Sequence, residues 1–396
     1  MRAMLAAVCI GAAAIWAGGA SGAEPPPPPD QVIAAEAAGR LPASPFYHVA
    51  PDDVKGGPGA LIRSEPVTDY TLPPGVTAVR FVYLAGMTPA SGVVLVPPGT
   101  PPAGGWPVIA WAHGTTGVAR ICAPSEARDL ASPSPAAMAA AGYAVVAPDY
   151  VGLGPEGRHA YLNKPSHARD IVNALPAARA AVASLGRKWV VDGHSQGGLA
   201  AWGAAEMAKD DPDFLGAVVV SGATDLAALS DLEAHPGGAA LLPYLAFGIK
   251  VRLPLFKVGD MIREPALERF AIVTSKGCLA LDAATFGPLP WRSFIKPGWT
   301  KSPMVQQYFS ESTVGEDPVD RPMLVIAGGG DNIVPIAVTK AVVAKACTHH
   351  LPIEFRAYPA LDHVQSMDQT LKEQLAWIAD RFAGKPGKST CEAKAP

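Results

Sequence analysis

Three residues set the chemistry for which this chain is equipped. Ser195 lies in GHSQGG (Gly193–Gly198), after the apolar run KWVVD and ahead of an Ala-rich stretch. A serine on such a strand-to-helix turn is lifted clear of the sheet edge, and crowding there calls for Gly193 and Gly197 two residues to either side. A hydroxyl is a weak nucleophile and needs a base. Of the nine histidines, His363 fits best: it follows IEFRAYPAL (Ile353–Leu361) and precedes an amphipathic stretch, so it is expected in a loop at a strand's end. His194, beside the nucleophile, is expected to face elsewhere. The base in turn needs an acid to fix its tautomer. Asp331, in MLVIAGGGDNIVP, stands beyond the carboxyl end of a buried run, where parallel sheets present their ligands. Asp225 is the second choice. Asp362 is a poor one, because adjacent side chains in an extended segment point apart.

Attack on a carbonyl develops an oxyanion, which requires preset hydrogen-bond donors. The amide of Gln196 follows the serine directly, at the positive end of the next helix. The second donor is assigned to Thr115 in AWAHGTTG (Ala110–Gly117), with Thr116 as the alternative. In this scheme Gly114 permits a sharp exit from the strand and His113 ties the loop down. The assembled chemistry is acyl transfer through a serine, with no metal or organic cofactor.

These residues must be positioned by a framework, and the pattern supplies one. TAVRFVYLA (Thr77–Ala85) and SGVVLVPPG (Ser91–Gly99) read as paired strands. WPVIAWAHG (106–114), YAVVAPDY (143–150), KWVVDG (188–193), LGAVVVSG (215–222) and PMLVIAGG (322–329) are short continuous apolar runs, suited to strands buried on both faces of a parallel sheet. Helices are expected over about 166–185, kinked at Pro176, from Gln196 onward, and over Asp368–Phe382, where Leu371, Leu375, Ile378 and Phe382 share a face. This is an α/β arrangement. It breaks between Asp225 and Pro318, where GGAALLPYLAFGIKVRLPLF (Gly237–Phe256) is too interrupted by Pro243, Lys250 and Arg252 to span a membrane. That segment reads as a mainly helical cap, with an acyl pocket beneath 237–256.

The expected organisation is a signal peptide over 1–23, a Pro-rich arm over 24–59, a core over 60–225, the cap over 226–317, and the rest of the core with a tail over 318–396. Arg2, the apolar run Ala6–Ala17, and small residues at Ser21 and Ala23 carry the export reading. Export places the chain outside the cell or in the periplasm. Four cysteines then remain, Cys122, Cys278, Cys347 and Cys391, and their spacings leave three pairings open. His349 and His350 read as a surface pair. A net charge of −3 among 396 residues points away from nucleic acid and anionic membranes as partners. The expected partner is a small-molecule or lipid ester, without a stable membrane anchor.

With these residues assembled in the order Ser195, Asp331, His363, the chain resembles the α/β-hydrolases, and more narrowly the secretory lipase family of the lipase A type. The narrower likeness rests on AWAHGTTGVARICAPS, APDYVGLGPEGRHAYLNKPSHARDIVNALPAAR, GHSQGG, GGGDNIVP and YPALDHVQS. It implies a mostly parallel central sheet with flanking helices and a helical cap between two late strands. It also implies the disulfides Cys122–Cys278 and Cys347–Cys391. The implied activity is that of a lipase or carboxylesterase; an acyltransferase would use the same triad, while a peptidase or a non-catalytic binding protein fits less well.

Overall fold

The computed structural model describes residues 27–349 and 352–391; the expected signal peptide and His350 lie outside them. Leu61–Val67 (β1), Thr77–Ala85 (β2), Thr88–Val96 (β3), Trp106–Ala112 (β4), Ala144–Pro148 (β5), Leu185–His194 (β6), Phe214–Val220 (β7), Met323–Gly328 (β8) and Ile353–Tyr358 (β9) form one sheet. Its order is β1-β2-β3-β5-β4-β6-β7-β8-β9. The first three strands pair antiparallel and β3 meets β5 antiparallel. From β5 to β9 every pairing is parallel. The α/β-hydrolase architecture expected from the sequence is present.

The apolar runs are continuous because both faces of this sheet are covered. Val108, Ala110, Val191, Val219 and Val325 face one core. Ile109, Val145, Val190, Val218 and Leu324 face the other. After Pro29–Ala38 (α1), the helices Ser134–Ala140 (α2), Lys164–Ala181 (α3) and Gln196–Met207 (α4) follow in turn. The first core takes in α3 and α4 through Ile171, Ala174, Leu199 and Ala205. The second takes in Met138 of α2 together with Trp377 and Ile378 of the last helix.

The connection from β7 to β8 carries Leu226–Leu229 (α5), Leu242–Arg252 (α6), Ala266–Val273 (α7), Leu279–Phe286 (α8), Trp291–Phe294 (α9) and Pro303–Glu311 (α10). Ile336–Thr348 (α11), His363–Asp368 (α12) and Leu371–Phe382 (α13) complete the chain. Disulfides join Cys122 to Cys278 and Cys347 to Cys391, the pairing that the resemblance implies. Among the described residues no helix is long and apolar enough to cross a membrane.

Several local expectations need correction. The β2–β3 hairpin closes in two residues, Gly86 and Met87, with Ala85 opposite Thr88; Gly86 supplies the positive φ such a turn demands. The strand expected at Ser91 therefore begins three residues earlier. The long helix continues through Pro176 but stops at Ala181, since Leu185 already pairs with Trp106 in the sheet. β1 was not expected: it is a half-exposed edge strand with a proline inside, and edges tolerate the missing N–H. The Pro-rich arm carries a helix of its own: α1 packs on α8, and the Glu36 carboxylate accepts from the amides of Cys278 (2.8 Å) and Leu281 (3.1 Å).

Candidate active site

Ser195 directly follows β6 and caps the start of α4 with φ 59° and ψ −118°, a region costly for any residue with a Cβ. The surrounding backbone over-determines it. Its N–H donates to the Val220 carbonyl at 3.0 Å, and its own carbonyl accepts from Gly198 (2.9 Å) and Ala223 (3.1 Å). The flanking glycines are sterically required. A Cβ on Gly193 would lie 2.1 Å from the Gly197 carbonyl oxygen, and one on Gly197 would lie 1.8 Å from that of Ala112.

Asp331 and His363 come together from separate elements. Asp331 leaves β8 through Gly328–Gly330, and His363 leaves β9 through Pro359–Leu361. These two exits touch backbone to backbone: a Cβ on Gly328 would stand 2.2 Å from the Leu361 carbonyl oxygen, and one on Gly329 2.5 Å from that of Pro359. The glycine run thus lets the acid approach the histidine. His363 Nδ1 donates to Asp331 Oδ2 at 2.8 Å, leaving Nε2 with its lone pair. Asp331 Oδ1 accepts from the amides of Ile333 (2.9 Å) and Val334 (2.8 Å). Burial pushes the Asp331 carboxyl up, but His363 and the two amides outweigh it and hold the group below its usual value.

His363 does not sit in a loop. It opens α12, and Asp362, rejected above as the acid, is the N-cap of that helix. Its Oδ1 accepts from Gln365 N at 2.8 Å while Gln365 Oε1 accepts from Asp362 N at 3.1 Å. Gln369 and Thr370 separate α12 from α13, so the single helix expected from Asp368 is broken; the Thr370 hydroxyl donates to the Ser366 carbonyl at 2.6 Å. Asp225, the second choice, caps α5 through Ala228 N at 2.9 Å.

Gln196 opens α4, so its N–H has no intrahelical acceptor. The loop after β4 runs beside the turn: a methyl on Gly114 would stand 3.6 Å from Ser195 Cβ. Thr115 follows, half-buried, with its hydroxyl 2.7 Å from that of Tyr161. Thr116 instead accepts Leu279 N at its carbonyl, 2.8 Å, joining the loop to α8. His113 is buried against Tyr150, rings 4.3 Å apart, and its ring nitrogens lie against the carbonyls of Gly114 (2.7 Å) and Asp149 (3.2 Å). Burial lowers it to about 4. His194 does not face away as expected: its Nε2 meets the His363 carbonyl. Its identity beside the serine was legible, but not the 169-residue separation that the fold closes.

Two cavities open along the β7–β8 connection. One of about 300 Å³ is lined by Gly237, Ala240, Phe286, Leu289, Trp291 and Asn332, the last being the neighbour of Asp331. The other, about 770 Å³, opens between the N-terminal arm and α6, along Leu41, Val118, Arg120, Arg158 and Phe247. None of the three proposed reacting side chains lines either cavity.

The comparisons agree with this architecture. At the level of fold the chain is similar to Candida antarctica lipase A (TM-score 0.72, 18% identity, 89% of this chain and 88% of that one). It is similar to the rice cell wall degrading esterase LipA of Xanthomonas oryzae (0.64, 20%, 82% and 97%). A putative hydrolase of Legionella pneumophila also matches (0.67, 18%, 82% and 99%). No curated protein sequence matches. The model of the secretory lipase family matches residues 134–390, well over half of the chain and inclusive of Ser195, Asp331 and His363. The chain belongs to the secretory lipase family and is, at that level, a carboxylic ester hydrolase.

Proposed function

We propose that the chain is an exported serine hydrolase that cleaves carboxylic esters through an acyl-enzyme, with Ser195 as nucleophile, His363 as base and Asp331 as its orienting acid. The 2.8 Å contact between His363 Nδ1 and Asp331 Oδ2 carries this reading, because it leaves Nε2 free to take the serine proton. Ser195 Oγ attacks the ester carbonyl, and the oxyanion forms against the amides of Gln196 and Thr115. His363 then passes its proton to the leaving alcohol and afterwards activates water, which releases the acid. The connection 226–317 acts as the cap. Its apolar cavity beside Asn332 offers room for a small acyl or alcohol group, and α6 borders the larger one.

The test is a p-nitrophenyl ester series from acetate to palmitate on the mature protein and its Ser195→Ala variant. The variant should lose on the order of 10⁶-fold in kcat. Rates rising toward palmitate would make the protein a lipase, and a peak at short chains an esterase. Near-parental activity in the variant would overturn the nucleophile assignment. Faster product formation with an added alcohol than with water would shift the reading to acyl transfer.

A further inference from the structure

The run HAYLNKPSH (His159–His167) lies in the longest of the stretches that carry the family likeness, yet none of its residues takes part in the proposed reaction. Its side chains meet the side chains of both residues whose amides are the proposed oxyanion donors. On one side, Gln196 Nε2 lies 2.9 Å from His159 Nε2 and 3.2 Å from His167 Nε2. On the other, the Tyr161 hydroxyl lies 2.7 Å from Thr115 Oγ1.

The partners fix the tautomers. His159 Nδ1 is 3.1 Å from the Val151 carbonyl, which only accepts, so that nitrogen carries the proton and Nε2 keeps its lone pair. Leu162 N donates to His167 Nε2 at 3.1 Å, so that Nε2 is also an acceptor. The N–H bonds of the Gln196 carboxamide therefore meet a free lone pair on His159 Nε2 and, on His167 Nε2, the one lone pair that Leu162 N–H also engages. All of these groups are buried, and no solvent competes for the bonds. The rings are further locked by stacking, His159 on His167 at 5.1 Å and His167 on Tyr150 at 4.6 Å. The run is itself pinned by α10 and its exit: Tyr308 donates to the Tyr161 carbonyl at 2.6 Å, and Ser312 to that of Leu162 at 2.9 Å.

We infer that His159, Tyr161 and His167 are positioning residues that brace the oxyanion hole, the two histidines holding Gln196 through its side chain and Tyr161 holding Thr115. This rests on the reading of Ser195, Gln196 and Thr115 given above. Preset donors stabilise developing charge only while their positions stay fixed. The Gln196 amide follows a serine in a strained conformation, at a helix start without an upstream turn to stiffen it. Anchoring its side chain 29 and 37 residues away in sequence supplies that stiffness, and one short run then sets the separation of both donors.

The experiment compares His167→Leu, His167→Gln and Tyr161→Phe with the parent on p-nitrophenyl butyrate, alongside inhibition by phenylboronic acid, which forms a tetrahedral adduct on a reactive serine. His167→Leu and Tyr161→Phe should each lower kcat by roughly 10- to 100-fold, the scale of an ångström-sized misplacement, with little change in KM. Boronate affinity should fall in step with kcat. His167→Gln, whose amide oxygen can stand where Nε2 stood, should recover most of the loss. Folded His167→Leu and Tyr161→Phe variants with parental kcat and boronate affinity would overturn the brace, as would a loss confined to KM. Should His167→Leu fail to fold, Tyr161→Phe, which removes a single oxygen, decides the matter. Retained activity in Ser195→Ala would instead remove the underlying site reading, so the two failures are distinguishable.

Discussion

His194 Nε2 lies 2.8 Å from the main-chain carbonyl oxygen of His363, and the two rings stand 4.7 Å apart. A carbonyl only accepts, so His194 donates from Nε2. Burial, with the neighbouring His363 adding to it, lowers the His194 imidazole to about 3, which keeps it neutral across the working range. The residue preceding the proposed nucleophile thereby fixes the backbone of the proposed base. The contact links the end of β6 to the start of α12 at the point where a proton must cross.

That contact predicts a kinetic signature. His194→Ala should lower kcat by about 10-fold or more while leaving KM nearly unchanged, since it loosens a position without touching the substrate. His194→Gln, which retains a donor near the same place, should restore much of the rate. Steady-state kinetics on the two folded variants checks this, and equal rates for parent and His194→Ala would sink it.

The crowding at the turn predicts a stability failure. Gly197→Ala drives a methyl to 1.8 Å from the Ala112 carbonyl oxygen, and neither partner is a side chain that can swing away. Overpacking against yielding side chains costs about 1–3 kcal/mol, and rigid backbone should cost more. Gly57→Ala is the control, because a Cβ there meets nothing within 4 Å. Soluble yield and Tm should collapse for the first and hold for the second.

Asp149 predicts a pH dependence. Burial pushes its carboxyl up to about 6 from an ordinary 3.8, against the opposing donors Ser125 and Ser91. Across that window the folded chain keeps a proton that the unfolded chain has released, so stability falls as pH rises from about 4 to about 6 and then levels off. The full effect is about 3 kcal/mol. Asp149→Asn cannot titrate, so the Tm difference between variant and parent should move in the variant's favour over that range. Calorimetry from pH 4 to pH 8 measures it, and a difference independent of pH would refute the assignment.

The parallel strands and the elements that carry Ser195 and Asp331 were legible because each leaves a local mark: an apolar run, a glycine-flanked serine, a glycine-rich strand exit; His363 was legible as following a strand, but not as the first residue of a helix. What escaped was set by distant partners. LIRSEPV reads as no strand until β2 offers it an edge, and the arm became a helix whose Glu36 takes the amides at the start of α8. His194 was misread for the same reason, as nothing in GHSQGG indicates that the His363 carbonyl stands beside it. Asp362 was dismissed as the acid on local geometry, but its capping of α12 follows from the D-x-x-Q spacing and was available in the sequence.

The two disulfides divide the chain into covalent rings with different contents. The ring closed by Cys122 and Cys278 contains Ser195, and the ring closed by Cys347 and Cys391 contains His363, while Asp331 belongs to neither. The second ring is also stitched along β9, where Thr390 N donates to the Ile353 carbonyl at 2.7 Å. Each ring limits how far its own residue can wander when the sheet loosens, but no covalent bond ties one ring to the other except through the acid's segment. Reductive damage to the tail would therefore free the histidine's ring while the serine's stayed closed, an uncoupling of parts that heat alone would not produce.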